Sequence, residues 1–239
     1  MENLDTLLRS GAEALDCPLT DEALRQFRVY AEMLLDANRH MNLTAVTAPA
    51  DIYRRHFLDS LALGRAAAFD GKRIIDVGTG AGFPGLPIKL AWPNCSMTLL
   101  DSLQKRVSFL AEICDTLHLS GVTALQGRAE ELGREETHRE VYDIALSRAV
   151  ARLDLLAELC LPLVKPGGLF LAMKTGGAGD ETLEAAPAIE ALGGRLDETV
   201  SYQVPDTDAV RGIVVIEKIR ATPDTYPRRF AKMQKSPIR

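Results

Sequence analysis

Apolar and polar positions recur along this chain with two different periods, and the change between them falls near Gly71. Before it the spacing is helical. Thr20 is a good N-cap residue, Asp21 and Glu22 follow it, and Leu24, Phe27, Ala31 and Leu34 form an apolar stripe close to 3.6 residues per turn. A shorter amphipathic helix should precede this one. A third is predicted over Ala50–Phe69, after a loop from Asn38 to Pro49. Beyond Gly71 short apolar runs alternate with helical segments: Arg73–Val77, Ser96–Leu100, Val122–Gln126, Tyr142–Ser147 and Leu169–Lys174. That is the pattern of a parallel sheet with crossover helices. One such helix is predicted with Ser102 as its cap and Val107, Leu110, Cys114 and Leu117 along one face. The last two runs, Leu196–Val204 and Gly212–Ile219, are joined only through Pro205–Arg211. So short a link cannot hold a crossover helix, and the pair should be antiparallel.

Composition narrows the classes without choosing one. A chain of 239 residues, 46% hydrophobic and 26% charged, reads as globular, with room for one α/β domain and an appendage. No run is long enough for a membrane-spanning helix, and Glu2, Asp5 and Arg9 make Met1–Ser10 unlike a signal peptide, so a cytoplasmic location is expected. Cys17, Cys95, Cys114 and Cys160 are scattered and read as reduced, mostly buried residues with no metal site. The net charge of −5 hides an asymmetry: residues 211–239 carry +6 and the remainder −11. Such a basic end suits either an RNA-contacting edge or a solvated tail, and charge alone does not separate the two.

The strongest local signal is Ile74-Ile75-Asp76-Val77-Gly78-Thr79-Gly80-Ala81-Gly82-Phe83-Pro84-Gly85. A buried strand runs into a turn whose glycines let backbone approach a ligand and adopt positive φ. Gly80, Gly82 and Gly85 also satisfy G-x-G-x-x-G, a fingerprint that is weak alone. Asp76, at the strand end, can face a cationic ligand or accept loop N–H groups. Asp101 follows the second strand, 23 residues after Gly78, where a carboxylate can accept both ribose hydroxyls or simply cap the next helix. Two carboxylates suit the ammonium and sulfonium of S-adenosylmethionine better than a pyrophosphate. Gly127-Arg128-Ala129-Glu130 and Ser147-Arg148-Ala149-Val150 end the third and fourth strands, at the sheet edge where such folds bind ligands. The expected fold class is therefore α/β: a Rossmann-like class I methyltransferase fold, with a mostly parallel seven-stranded sheet, a C-terminal antiparallel hairpin and an N-terminal helical extension.

From about Asn42 onward the sequence resembles the small-subunit (16S) ribosomal RNA guanine-N7 methyltransferases, the glucose-inhibited division protein B family. Asn42-Leu43-Thr44, His56-Phe57-Leu58-Asp59-Ser60, Asp76–Pro87, Leu99-Leu100-Asp101-Ser102 with Lys105-Arg106, Gly127–Glu130, Ser147-Arg148-Ala149, Met173-Lys174 and Tyr226-Pro227-Arg228 carry the resemblance in order. Ala37, Ala231 and Met233 depart from it, standing where members often have Trp, Gly and Pro. The resemblance implies donor binding by Gly78 and Phe83, adenine contacts by Ala129 and Glu130, and Arg148 at the switch point. With Asp76, Gly80 and Asp101 these form the expected cofactor set. It also places Asn42, His56, Lys174 and Arg211 near the RNA side. Three parts are expected: a helical extension (1–48), a donor-binding domain (49–220) and a basic tail (221–239).

Guanine N7 already presents an in-plane lone pair, so its methylation needs no general base, and none is assigned. The chain also has no Asn/Asp-Pro-Pro-aromatic loop after the fourth strand, the device of adenine N6 methylation. Cys160 lies in an apolar stretch suited to the core. Arg39, His40, Arg54, Arg55 and His56 could hold phosphates, or be surface and structural residues. N7 faces the deep groove of A-form RNA, so the target base must be splayed or unpaired. The partner implied is 16S ribosomal RNA, within the small subunit or free, met by a monomer without membrane or metal. Alternatives are an NAD-dependent oxidoreductase, a small-molecule methyltransferase on the same scaffold, and a donor-binding RNA assembly factor without transfer activity.

Overall fold

The computed structural model describes residues 3–148, 151–176 and 179–239. Asn3 caps helix α1 (Leu4–Ala14) by accepting from the N–H groups of Asp5 and Thr6, and Thr20 caps α2 (Asp21–Met41) by accepting from Ala23 N–H. The predicted stripe is the buried face of α2: Leu24, Phe27, Ala31 and Leu34 are all at most 4% exposed. Tyr30 is buried beside them.

Among the described residues the seven strands are β1 (Arg73–Val77), β2 (Ser96–Asp101), β3 (Val122–Gln126), β4 (Tyr142–Arg148), β5 (Val164–Thr175), β6 (Gly194–Gln203) and β7 (Val210–Lys218). They form one sheet in the order β3-β2-β1-β4-β5-β7-β6. Strands β1 to β5 pair in parallel, and β7 inserts antiparallel between β5 and β6. The hairpin inferred from the short link is there. The order reverses between β1 and β4, so their carboxyl ends diverge and leave a crevice.

Period-2 alternation sorts the strand residues into two layers. Ile74, Leu99, Leu146, Leu171, Met173, Ile213 and Val215 belong to one cluster, with α1, α2, α4 (Gly85–Ala91) and α5 (Gln104–Thr116) over them. Ile75, Leu100, Ala145, Phe170, Ala172, Val214 and Ile216 face the other side. There α6 (Ala129–Leu132), α7 (Leu153–Cys160), α8 (Gly179–Ala191) and the terminal α9 (Phe230–Lys235) cover them. The N-terminal helices therefore share one continuous core with the sheet.

Three local expectations need correction. Helix α2 runs on through Met41, so the loop predicted from Asn38 begins only at Asn42. The third helix is an irregular segment, here α3, over residues 49–65: an α-turn at Pro49–Ile52, a π-helical stretch at Tyr53–Leu58, a turn at Asp59–Leu61 and a 3-10 end at Ala62–Arg65. Phe57, Leu58, Leu61 and Leu63 are all buried, and the changing helix type lets His56 face the crevice. Ser102 does not cap α5; its N-cap is Leu103, which makes no side-chain cap bond and donates its own N–H to Asp101 Oδ1 at 2.9 Å. Cys17, Cys95 and Cys160 are buried, while Cys114 is half-buried. Burial pushes the thiols of Cys17, Cys95 and Cys114 up to about 11, and that of Cys160 well above its usual value. None is poised as a thiolate nucleophile.

Among the described residues no helix is long and apolar enough to cross a membrane, and no His, Cys, Asp and Glu side chains group as metal ligands.

Candidate active site

The turn after β1 is held from three sides. Gly78 and Thr79 donate their N–H groups to Leu100 O at 2.9 and 3.0 Å. Asp76, wholly buried, accepts the Thr79 hydroxyl at 2.6 Å and Gly85 N–H at 2.8 Å on Oδ2. From the extension, the Tyr30 hydroxyl donates to Ala81 O at 2.6 Å. Gly78, Gly80 and Gly82 all have positive φ (74°, 62° and 108°). A Cβ on Gly82 would meet Leu86 and the Tyr30 hydroxyl at 2.6 Å, whereas one on Gly80 would find nothing closer than Gly78 O at 4.0 Å. Glycine is thus required for packing at 82, while the space beyond Gly80 is open.

Asp101 approaches the same turn from β2. It is 3% exposed, and its Oδ2 accepts from Gly80 N–H at 3.0 Å and Arg106 Nη1 at 3.2 Å. With the bond to Leu103 N–H, three of about four lone-pair sites are engaged. Of the two roles open to Asp76, loop fixation is visible. Its Oδ1 is buried without a partner among the described residues, and burial raises its pKa to about 6 despite the Thr79 and Gly85 bonds. An orphaned carboxylate oxygen, a second carboxylate on the turn and open space over Gly80 fit a nucleoside with a positive sulfonium. A pyrophosphate would meet two like charges there. Ala129 opens α6 and is 7% exposed, and the Glu130 side chain, 3.6 Å from Arg128, is largely covered.

Arg148 ends β4 and joins this turn to a second site. Its guanidinium lies over the Phe83 ring, 4.9 Å from the centroid, donates to Arg55 O at 3.3 Å and to Asp59 Oδ2 at 3.4 Å, and lies 3.3 Å from His56 Nδ1, which is itself 3.1 Å from Arg55 O. The buried Phe83 ring also stacks with Tyr30 and His56 at centroid distances of 5.4 and 4.5 Å. Around these groups opens a cavity of about 300 Å³ lined by Arg55, His56, Asp59, Arg148, Lys174 and Arg211, with apolar wall from Met173 and Val46. The structure thus gathers His56, Arg148, Lys174 and Arg211 as one set. Asn42 lies outside it, in left-handed conformation at the end of α2. Ala149 and Val150 fall outside the described residues.

His56 is held neutral. Its Nε2 lies 2.8 Å from Thr44 Oγ1, and burial, with the nearby Arg148 charge, lowers its pKa to about 3. Lys174 is tied down by Ala151 O at 2.8 Å and Glu181 Oε1 at 2.7 Å. Asp59 and Tyr202, absent from the sequence-based site, stand at its back, with the Tyr202 hydroxyl donating to Asp59 Oδ1 at 2.8 Å.

The basic end folds partly inward. Lys218 is fully buried against Glu140 at 2.9 Å, and Arg228 grips Glu158 through Nε at 2.8 Å and Nη2 at 2.6 Å. Lys232, Lys235 and Arg239 remain exposed.

The family model described as rRNA small subunit methyltransferase G (GidB) matches residues 23–209. The chain belongs to this family. It is 45% identical over 229 residues to the ribosomal RNA small subunit methyltransferase G of Lachnoclostridium phytofermentans, covering 95% of each chain. To that of Alkaliphilus oremlandii it is also 45% identical, over 99% of each. A solved structure described as a SAM dependent methyltransferase from Aquifex aeolicus aligns with a TM-score of 0.54 at 18% identity, over 73% of this chain and 96% of that one, a likeness of fold. As a member of the GidB family the chain is a methyltransferase, which sets the nicotinamide oxidoreductase aside.

Proposed function

We propose that this chain transfers the methyl group of S-adenosylmethionine to N7 of a guanine in bacterial 16S ribosomal RNA. The observation that carries the proposal is Arg148, which touches Phe83 of the glycine turn and three groups of the adjoining cavity, so donor and acceptor compartments share a wall. When bound, S-adenosylmethionine supplies an electrophilic methyl on a sulfonium. In this reading Gly78, Gly80 and Phe83 hold the donor against the turn, and Asp101 takes ribose hydroxyls on its remaining lone-pair capacity. Ala129 and Glu130 border the adenine. Asp76 braces the turn and contributes negative charge beneath it.

The cavity takes the guanine, with Arg148, Lys174 and Arg211 facing base or phosphate. His56, neutral, orders the wall between the compartments. No residue has to remove a proton, so the rate comes from alignment of nucleophile and methyl. A cavity of this kind admits a base that has left its helix, in keeping with N7 being unreachable inside A-form RNA. The exposed basic residues of 221–239, with Arg39 and His40 at the end of α2, serve as phosphate contacts. A cytoplasmic monomer acting on this RNA, free or within the small subunit, completes the proposal.

The test is labelled methyl transfer to small-subunit RNA, free and assembled, from a strain lacking the gene, with the product mapped by N7-specific strand scission. One methylated guanine is expected. Transfer to another atom, turnover on a small molecule without RNA, or binding of S-adenosylhomocysteine with no transfer at all would overturn it.

A further inference from the structure

Methyl transfer to N7 asks for no carboxylate base, yet a carboxylate stands at the back of the acceptor cavity. Asp59 is 5% exposed and is reached from three distant parts of the chain. Its Oδ1 accepts the Tyr202 hydroxyl at 2.8 Å and faces Arg211 Nε at 3.8 Å. Its Oδ2 accepts from Arg148 Nη1 at 3.4 Å. Tyr202 on β6 and Arg211 on β7 are register partners, so the hairpin delivers both to the same point. All four residues line the cavity.

We propose that Asp59 is a positioning residue: it holds the guanidiniums of Arg148 and Arg211 in the poses that receive the target nucleotide, with the Tyr202 hydroxyl fixing the carboxylate. This rests on the reading of the cavity as the acceptor site. A guanidinium has five N–H donors in a fixed plane, so anchoring one edge on a carboxylate orients the rest. Without the negative charge, two half-buried cations would face each other across a narrow space and swing apart. The charge has a second consequence. Methylation at N7 leaves the base cationic, in a cavity lined by Arg55, Arg148, Lys174 and Arg211, and Asp59 is the carboxylate among its lining residues. It offsets both the standing and the developing positive charge.

The experiment uses the full chain with Asp59→Asn, Asp59→Glu and Tyr202→Phe, measuring steady-state transfer to small-subunit RNA and calorimetric binding of S-adenosylhomocysteine. Asn keeps the shape and can still accept from Tyr202. D59N should lower kcat/KM for RNA by about ten- to a hundredfold, the loss that follows when aligned groups move by about an ångström. Donor-product affinity should fall far less than transfer, because the Asp59 carboxylate reaches the turn only indirectly, through Arg148 on Phe83. D59E should recover part of the loss, and Y202F should show a smaller one. In a double-mutant cycle, D59N with R211K should lose less than the product of the single effects. A D59N protein as active as an active wild type overturns this proposal alone. Equal losses of transfer and donor affinity, or strictly multiplicative effects in the cycle, also overturn it. A wild type that transfers no methyl to RNA overturns the acceptor-site reading, and this proposal with it.

Discussion

The guanidinium of Arg148 rests on the ring of Phe83, 4.9 Å from its centroid, so the last residue of β4 touches the turn that follows β1. The contact crosses the point where strand order reverses. A flat, delocalised cation suits it: one face covers the aromatic ring while the edge bonds to Arg55 and Asp59 and abuts His56.

Replacing Arg148 by Lys keeps the charge and loses the plane. R148K should therefore reduce methyl transfer by about a hundredfold, since a single ammonium cannot serve both ring and edge. Rate measurements at saturating donor check this, and a rate within threefold of wild type would contradict it.

Acid should act on stability through His56. Its folded pKa, about 3, lies below the ordinary value of 6.5, so between these limits the unfolded chain binds a proton that the folded one does not. The contribution is full above pH 6.5 and is lost as pH falls toward 3, with a slope of at most about 1.4 kcal/mol per pH unit. Asp76 opposes it. Its pKa is raised from 3.8 to about 6, so its contribution is present below 3.8 and is lost as pH rises through 6. Urea titrations of wild type, H56Q and D76N from pH 4 to 8 should give difference curves of opposite slope.

Two glycines of one turn should fail differently. A Cβ on Gly85 would lie 2.5 Å from Leu99 Cδ2 and 2.8 Å from Asp76 Oδ2, so G85A should cost about 1–3 kcal/mol of stability by overpacking. G80A meets no neighbour and bears only the left-handed strain of φ 62°, about 1–2 kcal/mol. Its main effect should be weaker binding of S-adenosylhomocysteine. Thermal unfolding and calorimetry separate the two.

The ion pair between Arg228 and Glu158 ties the tail to α7. Glu158 is 1% exposed, so R228A strands a buried carboxylate and should cost about 3–5 kcal/mol. Removing the exposed Lys232 and Lys235 charges should leave stability within about 0.5 kcal/mol. It should instead flatten the salt dependence of RNA binding, by about 0.7 in log–log slope per lost phosphate contact to single-stranded RNA.

What could be read from the sequence divides along physical lines. The strands and the hairpin were legible because period-2 burial and a link too short for a helix are local facts. The α2 stripe was legible for the same reason. The irregular course of residues 49–65 was not, because the burial of Phe57, Leu58, Leu61 and Leu63 against other elements decides it. Ser102 lost its predicted cap because the neighbouring Asp101 carboxylate took the first free N–H. Asp59 and Tyr202 are 143 positions apart: the first is visible only within the His56–Ser60 motif and the second only as part of an alternating strand, and neither signals their pairing. Counting charges marked the basic end without showing that Lys218 and Arg228 are consumed inside the fold.

The insertion of β7 between β5 and β6 has an implication for the order in which the molecule matures. A ribosome releasing this chain delivers the glycine turn, Asp101 and Arg148 long before Arg211 emerges, and Arg211 arrives only with the strand that completes the sheet. Arg211 and its register partner Tyr202 therefore join the cavity in the same step that sets the last strand between β5 and β6.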